Sequence, residues 1–559
     1  MPARNALILL LLLAGLCLSV PPVAAQREGL LPVGDPVVAF LERQQAASRL
    51  PGGSPLDVQP LAAAEAQRLL DSLARHAERL SPTDRALLAR FRGEAPYPGA
   101  ARLQRLSSLL YADGRAFFRA EGDGYSLEVE PLLYLAAGPA RALAPDSGLA
   151  PAWQNTRGVR FGGRIGRHLF FETRLTENQR RAAEHAYAAD RFTAPRLGDV
   201  KEVDGRVYDY WLATGSVGYR DRFVEIRAGR EINRWGAGAN SLFLSDYAAP
   251  YDQLQARFRF WRLDYTSLHA RFIVPERRRG WDSPFYPAHY GAFHTLSVAL
   301  PGRVDLQLFE SVVYAPDSLD GQRRGFEFGY LNPFQLFRPV EVDLGSPDNM
   351  LLGAGLAWRP VPGVRTYGQL LVDEVRFREL FRSWYGNKYA WLLGAHLVDA
   401  GVPDLDVRAE YARLRPYMYS HRSEHTAYVH FNDTFGHSAG PNAQDVSVFV
   451  RYRPAPTVEA GLNAAWTMRG RNTDAVNFGS DARRSYLDRP GDYGVVFFQG
   501  VRQTEWLGEA RLGVEVLPAL VLEGALVGRL RRDAEQGRSG SLAALAGMRW
   551  GLPFRSERW

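Results

Sequence analysis

His421-Arg422-Ser423-Glu424-His425 places two imidazoles and a carboxylate at the spacing of an inverted zinc-protease motif, with His430 and His437 close behind. Zinc chemistry at that spacing needs both histidines on one helical face. The stretch instead follows Arg415-Pro416-Tyr417 and runs into Asp433 and Gly436, which predicts a solvated, ligand-binding loop. Thr214-Gly215-Ser216-Val217-Gly218 lacks the glycine two positions before serine that a nucleophile elbow requires. The glycines of Gly162-Gly163-Arg164-Ile165-Gly166 and Gly236-Ala237-Gly238 do not lie between a buried parallel strand and a helix, so they read as strand or loop glycines rather than phosphate cradles. Asp373-Glu374 and the acidic run from Glu341 to Asp348 single out no acid/base pair at a defined separation. The sequence predicts no enzyme, no catalytic residue, no metal site and no cofactor.

Carbohydrate recognition draws on different residues. Aromatic rings stack on sugar faces, while Asn, Asp, Glu and Arg around them bond hydroxyls and pair with uronate carboxylates. Three segments hold that mixture: Arg234 to Tyr251, Glu374 to Tyr389 with Trp384 and Tyr385, and Tyr417 to Asn442 with its tyrosines and histidines. The loops of a porin would have a similar composition.

The elements that would position these loops are strands. From about Tyr125 to Trp550 the chain repeats a run of alternating character followed by a Gly, Pro, Asp or Asn cluster, the pattern of an outer-membrane β-barrel. In Phe223 to Glu231, Val224, Ile226 and Ala228 fall on one face, and Glu225, Arg227 and Glu231 on the other. Candidate strands run from 125–137 to 541–550 and include 223–232, 303–314 and 325–330. They number about eighteen or nineteen, and an even count is expected for a single-chain bacterial barrel. The fold expected is an all-β transmembrane barrel of about 18 antiparallel strands with a small N-terminal α-helical domain.

Ahead of the barrel, Arg4, the apolar run Ala6 to Val20 and the small-residue site Val23-Ala24-Ala25 predict a Sec signal peptide over 1–25. Cys17 is the only cysteine, and bulky Leu16 before it departs from a lipobox. A mature chain starting near Gln26 then has no disulfide and no thiol chemistry. Residues 26–115 form a helical segment, a periplasmic cap or plug: Asp35-Pro36 starts one helix, Leu61 to Leu80 forms a second, and Ser81-Pro82-Thr83-Asp84 caps a third. The barrel with its long extracellular loops occupies 116–559.

The formal net charge is +7, and Lys201 and Lys388 are the only lysines. Arginine's planar fork suits carboxylate and phosphate groups, so acidic glycans and lipopolysaccharide phosphates are fitting partners. Basic residues interspersed with 61 acidic ones, without a recognition motif, argue against nucleic acid.

The loops and strands together resemble the capsule assembly proteins of the Wzi family, in their longer, Bacteroidota-like branch. The resemblance rests on Arg234-Trp235-Gly236-Ala237-Gly238 continuing through Ser241-Leu242-Phe243-Leu244-Ser245 to Pro250. It extends to Glu310-Ser311-Val312-Val313-Tyr314, Leu331-Asn332-Pro333, Tyr367 to Glu374 and Gly386-Asn387-Lys388-Tyr389. Tyr419-Ser420-His421, Tyr428-Val429-His430 and Gly436-His437 continue it; the N-terminal helices carry no matching motif. The resemblance implies an outer-membrane, lectin-like protein that attaches or assembles capsular or extracellular polysaccharide at the cell surface, in contact with outer-membrane lipid, lipopolysaccharide and the barrel-insertion machinery. It points to Trp235, Asn240, Asp246, Trp384, Tyr385, His421, His430 and His437 as ligand-facing residues, with a loop-ordering or lumen contact as the alternative for each. The competing reading is an outer-membrane porin or polysaccharide-export channel.

Overall fold

Along Val224–Glu231, Glu225, Arg227 and Glu231 are buried while Ile226 is 43% exposed, so the charged face turns inward and the apolar face outward. Period-two alternation turns every such strand into a wall with a polar inside and a lipid-compatible outside. The computed structural model describes residues 29–553 apart from 54, 95–110, 112–115, 144–147, 182–192, 195, 204–206, 275–285, 317–323, 346–347 and 381. The expected signal peptide lies outside the described residues.

Eighteen strands form one closed antiparallel barrel. They are β1 Tyr125–Ala142, β2 Leu149–Ile165, β3 Leu169–Arg181, β4 Val207–Arg220, β5 Val224–Glu231 and β6 Tyr251–Phe260. Then follow β7 Leu263–Ile273, β8 Ala288–Leu300, β9 Val304–Tyr314, β10 Asn349–Trp358, β11 Val364–Glu374 and β12 Lys388–Val398. The circuit is completed by β13 Leu405–Leu414, β14 Ala443–Ala455, β15 Val458–Arg471, β16 Val501–Leu517, β17 Leu520–Asp533 and β18 Gly537–Trp550. Each pairs with its sequence neighbour, and β18 returns to β1 with Trp550 opposite Leu133. Short turns gather at one end and long connections at the other, as in outer-membrane barrels.

The strand expected over 325–330 is absent. Phe328–Leu331 is a 3-10 turn, because the Glu327 carboxylate accepts from the Gly329 N–H at 3.1 Å and caps it. A helix, Phe337–Leu344, follows in the same connection.

Among the described residues three helices precede the barrel: α1 Pro36–Ala46, α2 Ala63–Ala74 and α3 Pro82–Arg92; the helix Phe337–Leu344 is α4. Asp35 caps α1 through the Val37 N–H at 2.9 Å, and Ser81 caps α3 through the Asp84 N–H at 3.0 Å. The second helix ends earlier than its apolar stripe suggests, giving way to a 3-10 turn, Ala77–Arg79, as the chain reverses ahead of the Ser81 cap. Phe40, Leu41, Leu69, Leu70, Leu73, Leu87 and Leu88 pack into one core between the helices.

This bundle is tied to the short-turn end. Arg43 of α1 reaches Asp84 of α3 at 3.1 Å, Asp399 at 2.6 Å and Asp404 at 3.2 Å in the turn between β12 and β13, and also pairs with Asp406. Arg90 reaches Glu515 at 2.6 Å and the Pro456 carbonyl at 3.3 Å. Burial disfavours the Arg43 charge, but Asp406 and Asp84 outweigh it, so the guanidinium is held more firmly protonated than usual. Removing one partner of a buried ionic network costs about 3–5 kcal/mol, because the remaining charges stay buried without compensation. Arg43→Ala is accordingly expected to lower thermal stability and to make 29–94 cleavable by protease in the folded barrel; limited proteolysis followed by mass spectrometry checks it.

Candidate carbohydrate-binding face

The connection between β5 and β6 does not stay outside: it folds into the lumen and meets the helical bundle. Arg234-Trp235 pairs antiparallel with Gln59-Val58, and the Gly236 N–H donates to the Asp57 carbonyl at 2.8 Å. Arg234 and Arg408 both bind Glu42 of α1, at 2.5 and 2.9 Å. The two guanidiniums overcome the burial penalty and hold the Glu42 carboxylate far below its ordinary range. Gly236 and Gly238 have φ of 117° and 107°, a left-handed backbone that lets the loop turn against the wall.

Inward-facing strand residues then hold that loop. Gln369 of β11 accepts from the Leu242 N–H at 2.8 Å and donates to the Ala237 carbonyl at 2.7 Å. Glu410 of β13 accepts from the Ala239 N–H at 2.5 Å, the Asn240 N–H at 3.1 Å, the Asn240 side chain at 3.2 Å and the Tyr367 hydroxyl at 2.7 Å. Phe243 stacks on Phe309 with centroids 4.8 Å apart. The β13–β14 connection closes over the top: Tyr419 and Tyr428 donate to the carbonyls of Leu242 and Phe243 at 3.0 and 2.8 Å. An apolar core with Trp235, Leu242, Phe243, Phe272, Phe293, Tyr419, Tyr428 and Phe435 thus fills this side of the lumen.

Among the described residues, two larger cavities lie elsewhere in the interior. One of about 230 Å³ is lined by Glu172, Arg174, Thr176, Asn178, Tyr210 and Glu231. The other, of about 460 Å³, includes Glu42, Arg408, Arg453, Glu459, Arg511 and Glu523 on its walls. Many of these groups are already ion-paired, as Arg511 is with Glu509 and Glu523 at 2.6 and 2.7 Å.

The eight residues singled out in the sequence fall into separate places. Trp235 is fully buried where the loop meets the bundle, and Asn240 is bound to Glu410. Asp246 pairs with Arg196. His430 is buried, accepting at Nδ1 from the Ile273 N–H at 3.0 Å, with Nε2 3.3 Å from the Pro250 carbonyl. Burial pushes its pKa down to about 3, which keeps the ring neutral as this pairing requires. His437 is fully buried and accepts from the Ala439 N–H at 3.2 Å. The His421 segment holds only a three-residue 3-10 turn, Glu424–Thr426, too short to set His421 and His425 on one helical face.

Trp384, Tyr385 and His421 do come together, at the long-loop end. The Trp384 and Tyr385 rings are 5.2 Å apart, and Tyr385 lies 5.5 Å from Tyr486. His421 meets the Tyr486 edge at 5.7 Å, and Arg489 lies 3.7 Å over Tyr385. Beneath them, buried Lys388 pairs with Asp373 at 2.5 Å and donates to the Ser420 carbonyl at 3.0 Å, fixing the base of two loops. Burial, with Lys388 and Arg422 nearby, holds His421 well below the usual imidazole range, so it presents a neutral ring. Tyr385, His421 and Arg489 keep part of their surface in solvent. Tyr486 and Arg489 come from the β15–β16 connection and were not among the sequence candidates; neither stands in a motif.

No family model matches this chain, and no curated protein matches it. Among solved structures it is similar to the Escherichia coli Wzi, an outer-membrane protein involved in group 1 capsule assembly and a carbohydrate-binding β-barrel. The TM-score is 0.55 at 14% identity, over 94% of this chain and 100% of that one. The Pseudomonas aeruginosa outer-membrane protein OprD gives a TM-score of 0.42 at 11% identity, over 76% of this chain and 94% of that one. The first likeness is one of fold, and the second carries no weight. The class is a closed eighteen-stranded transmembrane barrel.

Proposed function

We propose that this chain is an outer-membrane, lectin-like barrel of the Wzi kind that binds capsular or extracellular polysaccharide and holds it at the cell surface. The carrying observation is the ring and guanidinium cluster of Tyr385, Tyr486, Arg489 and His421 at the long-loop end, above a lumen occupied by the β5–β6 loop. The partly exposed rings of Tyr385 and His421 supply faces for sugars with buried Tyr486 behind them, and Arg489, which pairs with exposed Asp492 at 2.5 Å and donates to the Tyr486 carbonyl at 2.8 Å, exchanges Asp492 for a glycan carboxylate. In this reading Trp384 packs behind the sugar-facing rings, while Trp235, Asn240, Asp246, His430 and His437 order the loops. The short-turn end faces the periplasm, where the bundle of residues 26–115 acts as a plug, and an N-terminal signal peptide directs export.

The test is the division of surface polysaccharide between washed cells and medium after the gene is deleted. Glycan still made but shed is the expected result. An unchanged division removes the anchor reading. The export-channel alternative draws on the charged cavities of about 230 and 460 Å³; it predicts loss from both fractions.

A further inference from the structure

One row of the outer wall breaks the apolar belt. Reading across the sheet in register, Ala256, Ser267, His294, Glu310 and Leu352 are successive partners on β6 to β10. Their side chains point outward, because Phe272, Phe293 and Phe309, which differ from them in parity along the same strands, belong to the lumenal core. Leu352 is 50% exposed, as a lipid-facing residue should be, whereas Ser267, His294 and Glu310 are 1%, 6% and 7% exposed. Polar groups on a barrel's lipid face are costly, and here they are covered.

The cover is the β9–β10 connection, folded back down the outside. Phe337 lays its ring 4.0 Å from His294, and its N–H donates to Glu310 at 2.9 Å. Tyr330, Phe337 and Val340 pack against outward-facing Ala292, Val312 and Tyr314. Lower down, the Tyr265 hydroxyl donates to the Pro333 carbonyl, and Phe334 sits 5.6 Å from Phe258. Phe258 and Tyr265 are register partners two residues from the Phe260–Leu263 turn, so this segment descends most of the height of the wall.

Two further features fit that position. Irregular backbone is tolerated beside hydrocarbon only when its polar groups are satisfied. Glu327 caps Gly329, Asn332 accepts from Phe334 at 3.1 Å, and Gly345 closes α4 onto Glu341 and Val342. The outer face of the segment carries large apolar side chains, with Phe328, Phe334 and Leu336 75%, 79% and 68% exposed beside exposed Leu352, the register partner of Glu310; its exposed polar groups are Asn332, Asp343 and Arg338, the last paired with Glu341 at 2.7 Å.

We infer that residues 326–344 form a clasp embedded in the bilayer, with Phe334 and Leu336 in contact with lipid acyl chains and the clasp sealing Ser267, His294 and Glu310 from them. The ligand of this surface is lipid hydrocarbon. The loop face that would bind glycan is a separate surface.

The chain's single cysteine, Cys17, lies in the expected signal peptide, so a thiol introduced into the mature chain is unique. Leu336→Cys, Phe334→Cys, Leu356→Cys on the belt and Tyr493→Cys at the long-loop end are each labelled with a small fluorophore after folding into phosphatidylcholine vesicles. Acyl-chain doxyl lipids and aqueous iodide then serve as quenchers. Positions 336 and 334 are expected to follow position 356, with lipid quenching within about twofold of it and iodide quenching several-fold below that at 493. Lipid quenching at 356 combined with iodide quenching at 336 and 334 would overturn the clasp. Protection of 336 and 334 from both quenchers would also overturn it, placing a second copy or another protein there. Failure of lipid quenching at 356 would remove the lipid-facing belt, and the inference with it.

Discussion

Glu410→Ala, combined with Gln369→Ala, is expected to turn a quiet barrel into a leaky one. Glu410 satisfies four donors: the Ala239 and Asn240 N–H groups, the Asn240 amide and the Tyr367 hydroxyl. Leaving a buried donor unsatisfied costs about 1–3 kcal/mol, so the three buried donors among them already make the loss on the order of 3 kcal/mol at the low end. Losing Gln369 frees Leu242 N–H and the Ala237 carbonyl as well. The strands do not depend on these contacts, since their ladders are complete from β1 round to β18. What is lost is the β11 and β13 hold on the β5–β6 loop, leaving its Arg234-Trp235 pairing with the bundle, the Tyr419 and Tyr428 hydrogen bonds and the Phe243–Phe309 stack to resist displacement. Single-channel recording in planar bilayers checks it: little current in the parent chain, and frequent openings in the double variant. Large steady currents in the parent would favour the porin reading. Silence in both would show that the seal lies elsewhere.

The strands were legible because alternation is a local property of each segment, and the barrel follows from repeating it. Segment 325–330 failed for an equally local reason: Phe326 and Phe328 alternate like a strand, but Glu327 can cap its own backbone two residues on. The grouping of the candidate residues was legible in part. Trp384, Tyr385 and His421 lie in aromatic loops whose composition points to sugar, and they meet at one end of the barrel. Trp235 and His437 come from similar loops and are fully buried. Composition does not say whether a loop folds outward or into the lumen. That choice is made by Glu410 and Gln369, which sit on strands with no loop character. The available signal was their parity: each is a polar side chain on the inward face, opposite segments rich in backbone donors.

Tyr385→Ala with Arg489→Ala is expected to weaken polysaccharide binding by at least tenfold while leaving the barrel folded. The pair is stacked at 3.7 Å and partly open to solvent, so truncation removes the proposed sugar platform and the cation that Asp492 holds at 2.5 Å without hollowing the core. A stacking face together with a charge-assisted pair is worth about 1.5–3 kcal/mol, and about 1.4 kcal/mol corresponds to tenfold. Trp384→Ala is the informative contrast. That ring is 3% exposed and lies 4.5 Å from the Arg376 guanidinium, so its loss is expected to lower both binding and thermal stability. Binding of the host's own surface glycan to the purified chain, measured at two salt concentrations, separates the contributions. If Arg489 pairs with uronates, the parent's affinity falls as salt rises, because a partly exposed ion pair is screened. The double variant then loses most of that salt dependence along with its affinity. Retained affinity with retained salt dependence would move the glycan surface away from this cluster. Lost affinity without any salt dependence in the parent would keep the rings as the platform and make the ligand a neutral polymer.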